Sequence, residues 1–371
     1  MNYKQNNDKI LLDFIRENTG CRRFHIQDKV GLSKAATAKI VNRLIEGGFI
    51  AESDPDLQKR EKGKPYKILN INPTKAYFMG ISARLWNITI CIMDFGLNII
   101  WEKEIQLPKI FDANYYQQQY NNLIKEAKCY IPNRQHIDYI SLSLPATTTN
   151  KGAIVDFAYF ENELEQVDFH SILVESFDDP AIWIIHHSIA LSFFATVRNK
   201  KTSKNIFIFN VDYGIGGALI VKGKSYLGAH SYAGNIGAFF PYKNPRPSVV
   251  DLAKYLNTDV NELSVDKIEA LFRQKNSKLM QWIEQQGTEL SMPLSAVVEL
   301  FDPKKIILGG LFPRLVLKEM RKFISLDYLE APERVSKRKA KIKIATEVGQ
   351  KVYAYGAARY ALKKYINREV V

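Results

Sequence analysis

The chain has 371 residues but only three cysteines, Cys21, Cys91 and Cys129, far apart and odd in number. No C-x-x-C occurs, which removes the usual sequence basis for a zinc knuckle or a thioredoxin-type redox site. A disulfide framework is equally unsupported, and the thiols read as small buried side chains. No stretch approaches the roughly 20 uncharged apolar residues that span a bilayer. The first twenty residues carry Asp8, Asp13, Arg16 and Glu17 on an amphipathic pattern, where a secretory leader needs a continuous apolar run. Repeats of short period are missing too. These absences point to a cytoplasmic, globular chain that uses no membrane as a partner. At 46% hydrophobic and 25% charged residues it has material for at least one large core, and its length suggests two or three structural units at roughly 100–200 residues each.

One sign of charge is in excess. There are 52 basic and 39 acidic residues, a net charge of +13. Residues 1–75 hold 15 of the basic and 9 of the acidic side chains, so a fifth of the chain carries nearly half of the excess. Such a bias suits an anionic partner.

The same segment has a helical grammar. Ile10, Leu11, Phe14 and Ile15 recur on one face of a helix that Gly20 is placed to end. Phe24, Ile26 and Val30 fit a short second helix. Gly31-Leu32-Ser33 then makes a turn, and the Ser33 hydroxyl can cap a third helix. Thr37, Ile40, Val41, Leu44 and Ile45 form its inward stripe, and Gly47-Gly48 stops it. Lys34, Ala35, Ala38, Lys39, Asn42 and Arg43 are left facing out. Strand-like pieces at Phe49–Ser53 and Tyr66–Asn72 flank a turn rich in Lys59, Arg60, Lys62 and Lys64. Three helices and a basic hairpin are the order of a winged helix-turn-helix, whose third helix enters the major groove of double-stranded DNA while the wing follows the backbone. The small residues at 35, 36 and 38 allow close approach to the groove floor, and Lys34, Lys39 and Arg43 can neutralise phosphates or reach base edges. Ser33, through its cap, starts the helix that presents them.

Beyond Pro73 the pattern changes to mixed α/β. Strands are expected at Tyr77–Ser82, Ile88–Met93, Ile99–Ile105, Ile140–Leu144, Ile182–Ile185, Ile206–Val211, Ala218–Val221 and Lys305–Leu308, with a helix near Tyr115–Tyr130. Glycines punctuate two places: Asp212-Tyr213-Gly214-Ile215-Gly216-Gly217 through Gly237, and Asp302 through Gly309-Gly310. A strand running into a glycine pair lets backbone N–H groups approach a phosphate. The basic run from Arg334 to Lys343 reads as a solvated loop entering a strand, because Ile342 and Ile344 alternate with lysines.

Taken together these segments resemble the ROK family, which groups repressors, open reading frames and sugar kinases. Phe24–Ile50 is similar to the winged helix of its sugar-responsive repressors, Asp212–Gly237 to its spaced-glycine signature, Asp302–Gly310 to its late glycine turn, and Gly349 with Gly356-Ala357-Ala358 to its last helix. The resemblance implies a winged helix over residues 1–74 and an actin-like (ribonuclease H-like) α/β core of two lobes, residues 75–187 plus 348–371 and residues 188–347.

It also implies what is altered. The family's kinases place a carboxylate base where this chain has His186-His187, and phosphate loops where it has Ile81-Ser82-Ala83-Arg84-Leu85 and Asp212-Tyr213-Gly214. Its sugar signature reads Gly234-Asn235-Ile236-Gly237-Ala238 here, its Pro-Gly reads Pro145-Ala146, and Phe239–Val250 lacks the zinc cysteines. The expectation is therefore a pseudo-kinase core with no catalytic residue, no metal and no cofactor. It would pair as a homodimer or tetramer and bind an operator. A sugar or sugar phosphate is the candidate effector in a cleft lined by His186, His187, His230, Tyr232 and Asn235. Two alternatives stay open: a sugar kinase with unusual active-site residues, and a DNA-binding scaffold without effector.

Overall fold

The computed structural model describes residues 3–55, 66–132, 137–149, 153–196, 205–240, 245–328 and 340–370. Helix α1 (Tyr3–Glu17) buries Asp8, Leu11, Leu12 and Ile15, a true i, i+3, i+4, i+7 stripe. Ile10, expected inward, is 43% exposed, because that stripe runs one residue off the expected face. Helix α2 (Arg23–Val30) buries Ile26 but leaves Phe24 exposed, its ring 4.1 Å from that of His25. Gly31, at φ 70°, ends α2 in the left-handed region that glycine tolerates. Helix α3 (Lys34–Glu46) starts where the Ser33 hydroxyl accepts a hydrogen bond from the Ala36 amide, and it buries Thr37, Ile40, Val41 and Leu44. Strands β1 (Ile50–Ser53) and β2 (Ile68–Ile71) pair antiparallel. The wing tip that carries Lys59, Arg60, Lys62 and Lys64 lies outside the described residues.

A 3-10 turn at Pro73–Lys75 leads into the core. Strands β3 (Tyr77–Arg84), β4 (Asn87–Asp94) and β5 (Ile99–Gln106) form an antiparallel meander. Helix α4 (Ala113–Cys129) follows, then β6 (Tyr139–Leu144). A small hairpin, β7 (Ala146–Thr148) with β8 (Ile154–Phe157), precedes a 3-10 segment at Tyr159–Gln166, helix α5 (Phe169–Ser176) and β9 (Ala181–His186). The first sheet has the order β5-β4-β3-β6-β9. Every residue of β3, β4 and β6 is buried, as expected of strands covered on both faces.

Helix α6 (His187–Thr196) connects to the second sheet. That sheet begins with β10 (Ile206–Val211), β11 (Ile215–Val221) and β12 (Lys224–Tyr226). Helices α7 (Val249–Leu256), α8 (Val265–Arg273), α9 (Ser277–Glu289) and α10 (Ser291–Phe301) pack together before β13 (Lys305–Gly310). Helix α11 (Arg314–Met320) and β14 (Lys341–Ile344) complete the order β12-β11-β10-β13-β14. Strand β11 starts three residues earlier than expected. Gly216 and Gly217 pair within the sheet with Asn210 and Phe209 instead of forming an open loop, because a tight turn at Asp212–Gly214 closes the hairpin. Lys341 and Lys343 face out on β14 between half-buried Ile342 and Ile344; residues 329–339 lie outside the described set.

Helix α12 (Lys351–Glu369) holds the parts together. A Cβ on Gly80 of β3 would strike the Ala354 carbonyl, and one on Gly356 would strike the Ala190 carbonyl of α6. Two glycines thus let α12 lie against the first sheet on one side and α6 on the other. Further along, α12 meets the winged helix: Tyr365 packs on Phe49, Phe78 and Phe95, and Arg16 lies 4.9 Å over the Phe95 ring. Lys9 Nζ donates to the Asn367 carbonyl at 3.1 Å, and Lys363 pairs with Asp13 at 3.6 Å. One apolar cluster therefore runs from Leu11 and Leu44 through Phe78 to Leu362 and Ile366.

Candidate nucleic-acid interface and interlobe cleft

The outer face of α3 is built by subtraction. Its apolar stripe is used against α1 and α2, which leaves Ser33, Lys34, Ala35, Lys39 and Asn42 exposed and Ala38 half-exposed. No ion pair among the described residues involves Lys34 or Lys39. Arg43, expected on the same face, does something else. Its guanidinium grips the carboxylate of Asp8, with Nε donating to Oδ2 at 2.7 Å and Nη2 to Oδ1 at 2.5 Å. Asp8 is 1% exposed, so the pair fastens α1 to α3. Arg23 is likewise paired with Glu52 at 3.0 Å and Lys67 with Asp54 at 2.9 Å. Sequence alone could not separate these tethered cations from Lys34 and Lys39, because their partners come from other elements.

Two cavities are formed by the described residues of the two lobes. The smaller, about 470 Å³, is lined by Thr147, Thr148, Asp156, Asn162, His186, Ser225, Ser231, Tyr232, Asn235 and Arg246, with Phe157, Ile189 and Tyr226 among its less polar walls. Its volume lies in the usual range for a small-molecule site. Tyr232 donates to Asp156 Oδ2 at 2.6 Å across its mouth. His186 Nδ1 accepts the Ser188 amide hydrogen at 3.1 Å, so the neutral ring carries its proton on Nε2. Burial holds the His186 pKa down to about 4, with Asp212 pulling the other way.

Of the five residues expected to line the cleft, His186, Tyr232 and Asn235 do so. His187 and His230 do not line this cavity. His230 is exposed on the surface. His187, 1% exposed, sits behind the cavity wall in a charged cluster that the sequence reading missed.

That cluster centres on Arg84 at the end of β3, itself 1% exposed. Its Nη1 donates to Glu161 Oε1 at 3.3 Å, and its Nη2 donates to Asp212 Oδ2 and to His187 Nδ1, the latter at 3.1 Å. Glu161 also accepts the Leu85 amide hydrogen at 3.0 Å. The Tyr353 hydroxyl lies 2.8 Å from both Asn210 Oδ1 and Asp212 Oδ2. Burial alone would lower the Arg84 pKa; Asp212 and then Glu161 more than reverse this and hold the guanidinium charged. Burial raises the Glu161 pKa against the pull of Arg84. Burial and the neighbouring Arg84 keep His187 neutral, well below the usual histidine range. The signals in sequence were Arg84 and Asp212 at unexpected positions; nothing in the local pattern paired them or brought in Glu161.

The larger cavity, about 890 Å³, lies on the other side of this cluster, with Trp86, Lys109, Tyr213, Arg314 and Lys351 in its wall. Tyr213 faces it and Gly214 faces the smaller one; no residue lines both. Trp86 meets Tyr213 edge-on at 5.3 Å. Among the described residues there is no group of three or more His, Cys, Asp or Glu side chains placed to hold a metal ion, and no helix is long and apolar enough to cross a membrane. Cys21 and Cys91 are buried with pKa values raised to about 11 and about 12, and Cys129 is exposed.

Comparison with solved structures finds the same fold in ROK-family proteins. A crystal structure of a ROK family transcriptional regulator, a homolog of the Escherichia coli MLC protein, superposes with a TM-score of 0.65 at 16% identity, covering 99% of this chain and 98% of that one. A ROK family glucokinase from Streptomyces griseus, solved with glucose and AMPPNP, matches 78% of this chain and all of its own length at 15% identity and a TM-score of 0.58. In sequence the chain is similar to the xylose repressor of Bacillus spizizenii, 23% identical over 323 residues that make up 82% of each protein. No protein-family profile matches the chain. The fold is thus that of ROK regulators and kinases, and the sequence is similar to several xylose repressors and to the uncharacterized protein y4fQ of Sinorhizobium fredii, 21% identical over 330 residues.

Proposed function

We propose that the protein is a sequence-specific DNA-binding transcriptional regulator, most simply a repressor, whose two-lobed core is non-catalytic and pairs two copies. The observation that carries this reading is the outer face of α3: a Ser33-capped helix whose small and basic residues, Lys34, Ala35, Lys39 and Asn42 with half-exposed Ala38, are left outward by a packed opposite face. Small residues permit close approach to base edges and the lysines meet phosphates. The wing residues Lys59, Arg60, Lys62 and Lys64 add to this through backbone contacts. The likeness to xylose repressors supports the repressor sign. A dimer follows from the limited affinity of one such module and from the paired half-sites that two-fold symmetry reads.

The 470 Å³ cavity supports a carbohydrate-like effector, because hydrogen-bonding groups such as Asp156, His186 and Asn235 stand beside the apolar faces of Phe157 and Tyr226. The non-catalytic reading rests on Arg84, Asp212 and His187 being engaged with one another.

Selection of bound genomic fragments by the full chain, at a stated salt concentration, tests the reading. Recurrent paired half-sites support it; enrichment no better than background overturns it. In the same assay Lys34→Glu with Lys39→Glu is expected to abolish selection and to flatten the dependence of affinity on salt by about one unit per lost phosphate contact.

A further inference from the structure

Arg84 is the guanidinium that meets acidic groups from both sides of the cleft. It ends β3 of the first sheet, and Glu161 stands on the same side, in the 3-10 segment after β8. Asp212 follows β10 of the second sheet. Tyr353 of α12 and Asn210 fix the Asp212 carboxylate, and His187 takes an Arg84 N–H at the junction of β9 and α6. Arg84, Glu161, His187, Asn210, Asp212 and Tyr353 are each under 9% exposed.

A buried charge is tolerated only when its partners are in place. Here the partners belong to different lobes. The Nη1 and Nη2 contacts of Arg84 are therefore all made at one lobe separation, with its Nε left without a partner. Moving the lobes apart by a water layer would leave Asp212 half-desolvated and Arg84 short of its main counter-charge. A surface ion pair could follow such a movement at little cost, but a buried one cannot. The rings reinforce the arrangement, since Arg84 lies 5.1 Å from the Tyr213 ring centre and 5.3 Å from that of Tyr353.

We propose that Arg84, with Asp212 and Glu161, is an interlobe brace that fixes the angle of the cleft and keeps its two cavities apart. A ligand in the 470 Å³ cavity is then received by lobes that do not swing. The brace serves where an open, hinged cleft would otherwise close around its ligand. It does not depend on the DNA-binding reading above.

Paired spin labels test it on the full chain. Lys125→Cys on α4 and Gln285→Cys on α9 are exposed positions on opposite lobes, introduced with Cys129→Ser so that the two native thiols left are buried. The expected result is one narrow distance distribution, unchanged by saturating glucose, xylose or sucrose. Arg84→Gln and Asp212→Asn should each broaden it and lower the melting temperature by about 5 °C or more, as loss of one partner of a buried pair does. Arg84→Lys should restore part of the narrow population. Tyr353→Phe, which keeps both charges and loses only the hydroxyl, decides the matter if a charge variant does not fold: it should broaden the distribution without unfolding the chain. A broad distribution in the unmutated brace, or a narrow one in every folded variant, would overturn the proposal.

Discussion

At the scale of single residues, the structure separates side chains that look alike in sequence. Lys39 and Arg43 sit one turn apart on α3, yet the first is exposed and the second holds Asp8. Arg43→Ala should destabilise the winged helix by about 2–4 kcal/mol, because it strands a buried carboxylate. Lys39→Ala should leave stability within about 0.5 kcal/mol, as surface changes do. Denaturant melts of both variants check this, and an equal loss in the two would contradict the division of roles. His186 and His187 likewise share a dipeptide and not an environment. Folded His186 titrates near 4, against about 6.5 once unfolded, so between those values the unfolded chain binds the extra proton. Stability therefore falls as pH drops from 6.5 towards 4, and His187, also held neutral, acts in the same direction. Thermal melts from pH 7 to pH 4.5 should show the decline, and His186→Gln should make it shallower. A melting temperature independent of pH in that window would count against the neutral histidines.

At the scale of elements, α3 is the clearest case of sequence dictating structure. Ser33→Ala removes the oxygen that receives the Ala36 amide hydrogen, and should cost about 1 kcal/mol in a urea melt. The cap, the stop at Gly47 and the inward stripe were all readable, because a helix start, stop and face are local properties. Most strands of the core were readable for the same reason, to within a few residues, while the short β7, β8 and β12 were not. What could not be read was the ends of strands in contact with other elements. β11 gains Ile215–Gly217 because β10 lies beside it, and Phe24 turns outward although its residue type suggests burial. The cleft divides in the same way. His186 and Asn235 were found from their spacing against a known pattern, and Tyr232 as an aromatic close by, whereas the link from Arg84 to Asp212 spans 128 residues and leaves no local trace. Long-range polar pairing carries no periodicity, so it is the part of a site that one sequence hides.

At the scale of the whole molecule, the winged helix and the core share an apolar cluster. Phe49, from the start of the wing, meets Phe95 at 6.0 Å and Tyr365 at 6.4 Å between ring centres. The winged helix is therefore docked on α12 and the β3–β4 hairpin, and it should melt with them. Phe49→Ala should weaken that docking by about 1–3 kcal/mol, since the ring is half-buried. Calorimetry on the full chain should then resolve two transitions where the parent has one; a single unchanged transition would mean that the two units are joined in some other way.

Helix α12 touches the first sheet, α6, the Asp212 cluster and the winged helix, and it is synthesised after all of them. At about 5–20 residues per second, some 270 residues separate the appearance of Gly80 from that of its partner Ala354, an interval on the order of tens of seconds. Through that interval the faces of β3 and Phe49 that α12 covers are bare, and exposed apolar surface of this kind is prone to stick elsewhere. A lesion that removes α12 would spare every exposed residue of α3 and still deny the chain its native state.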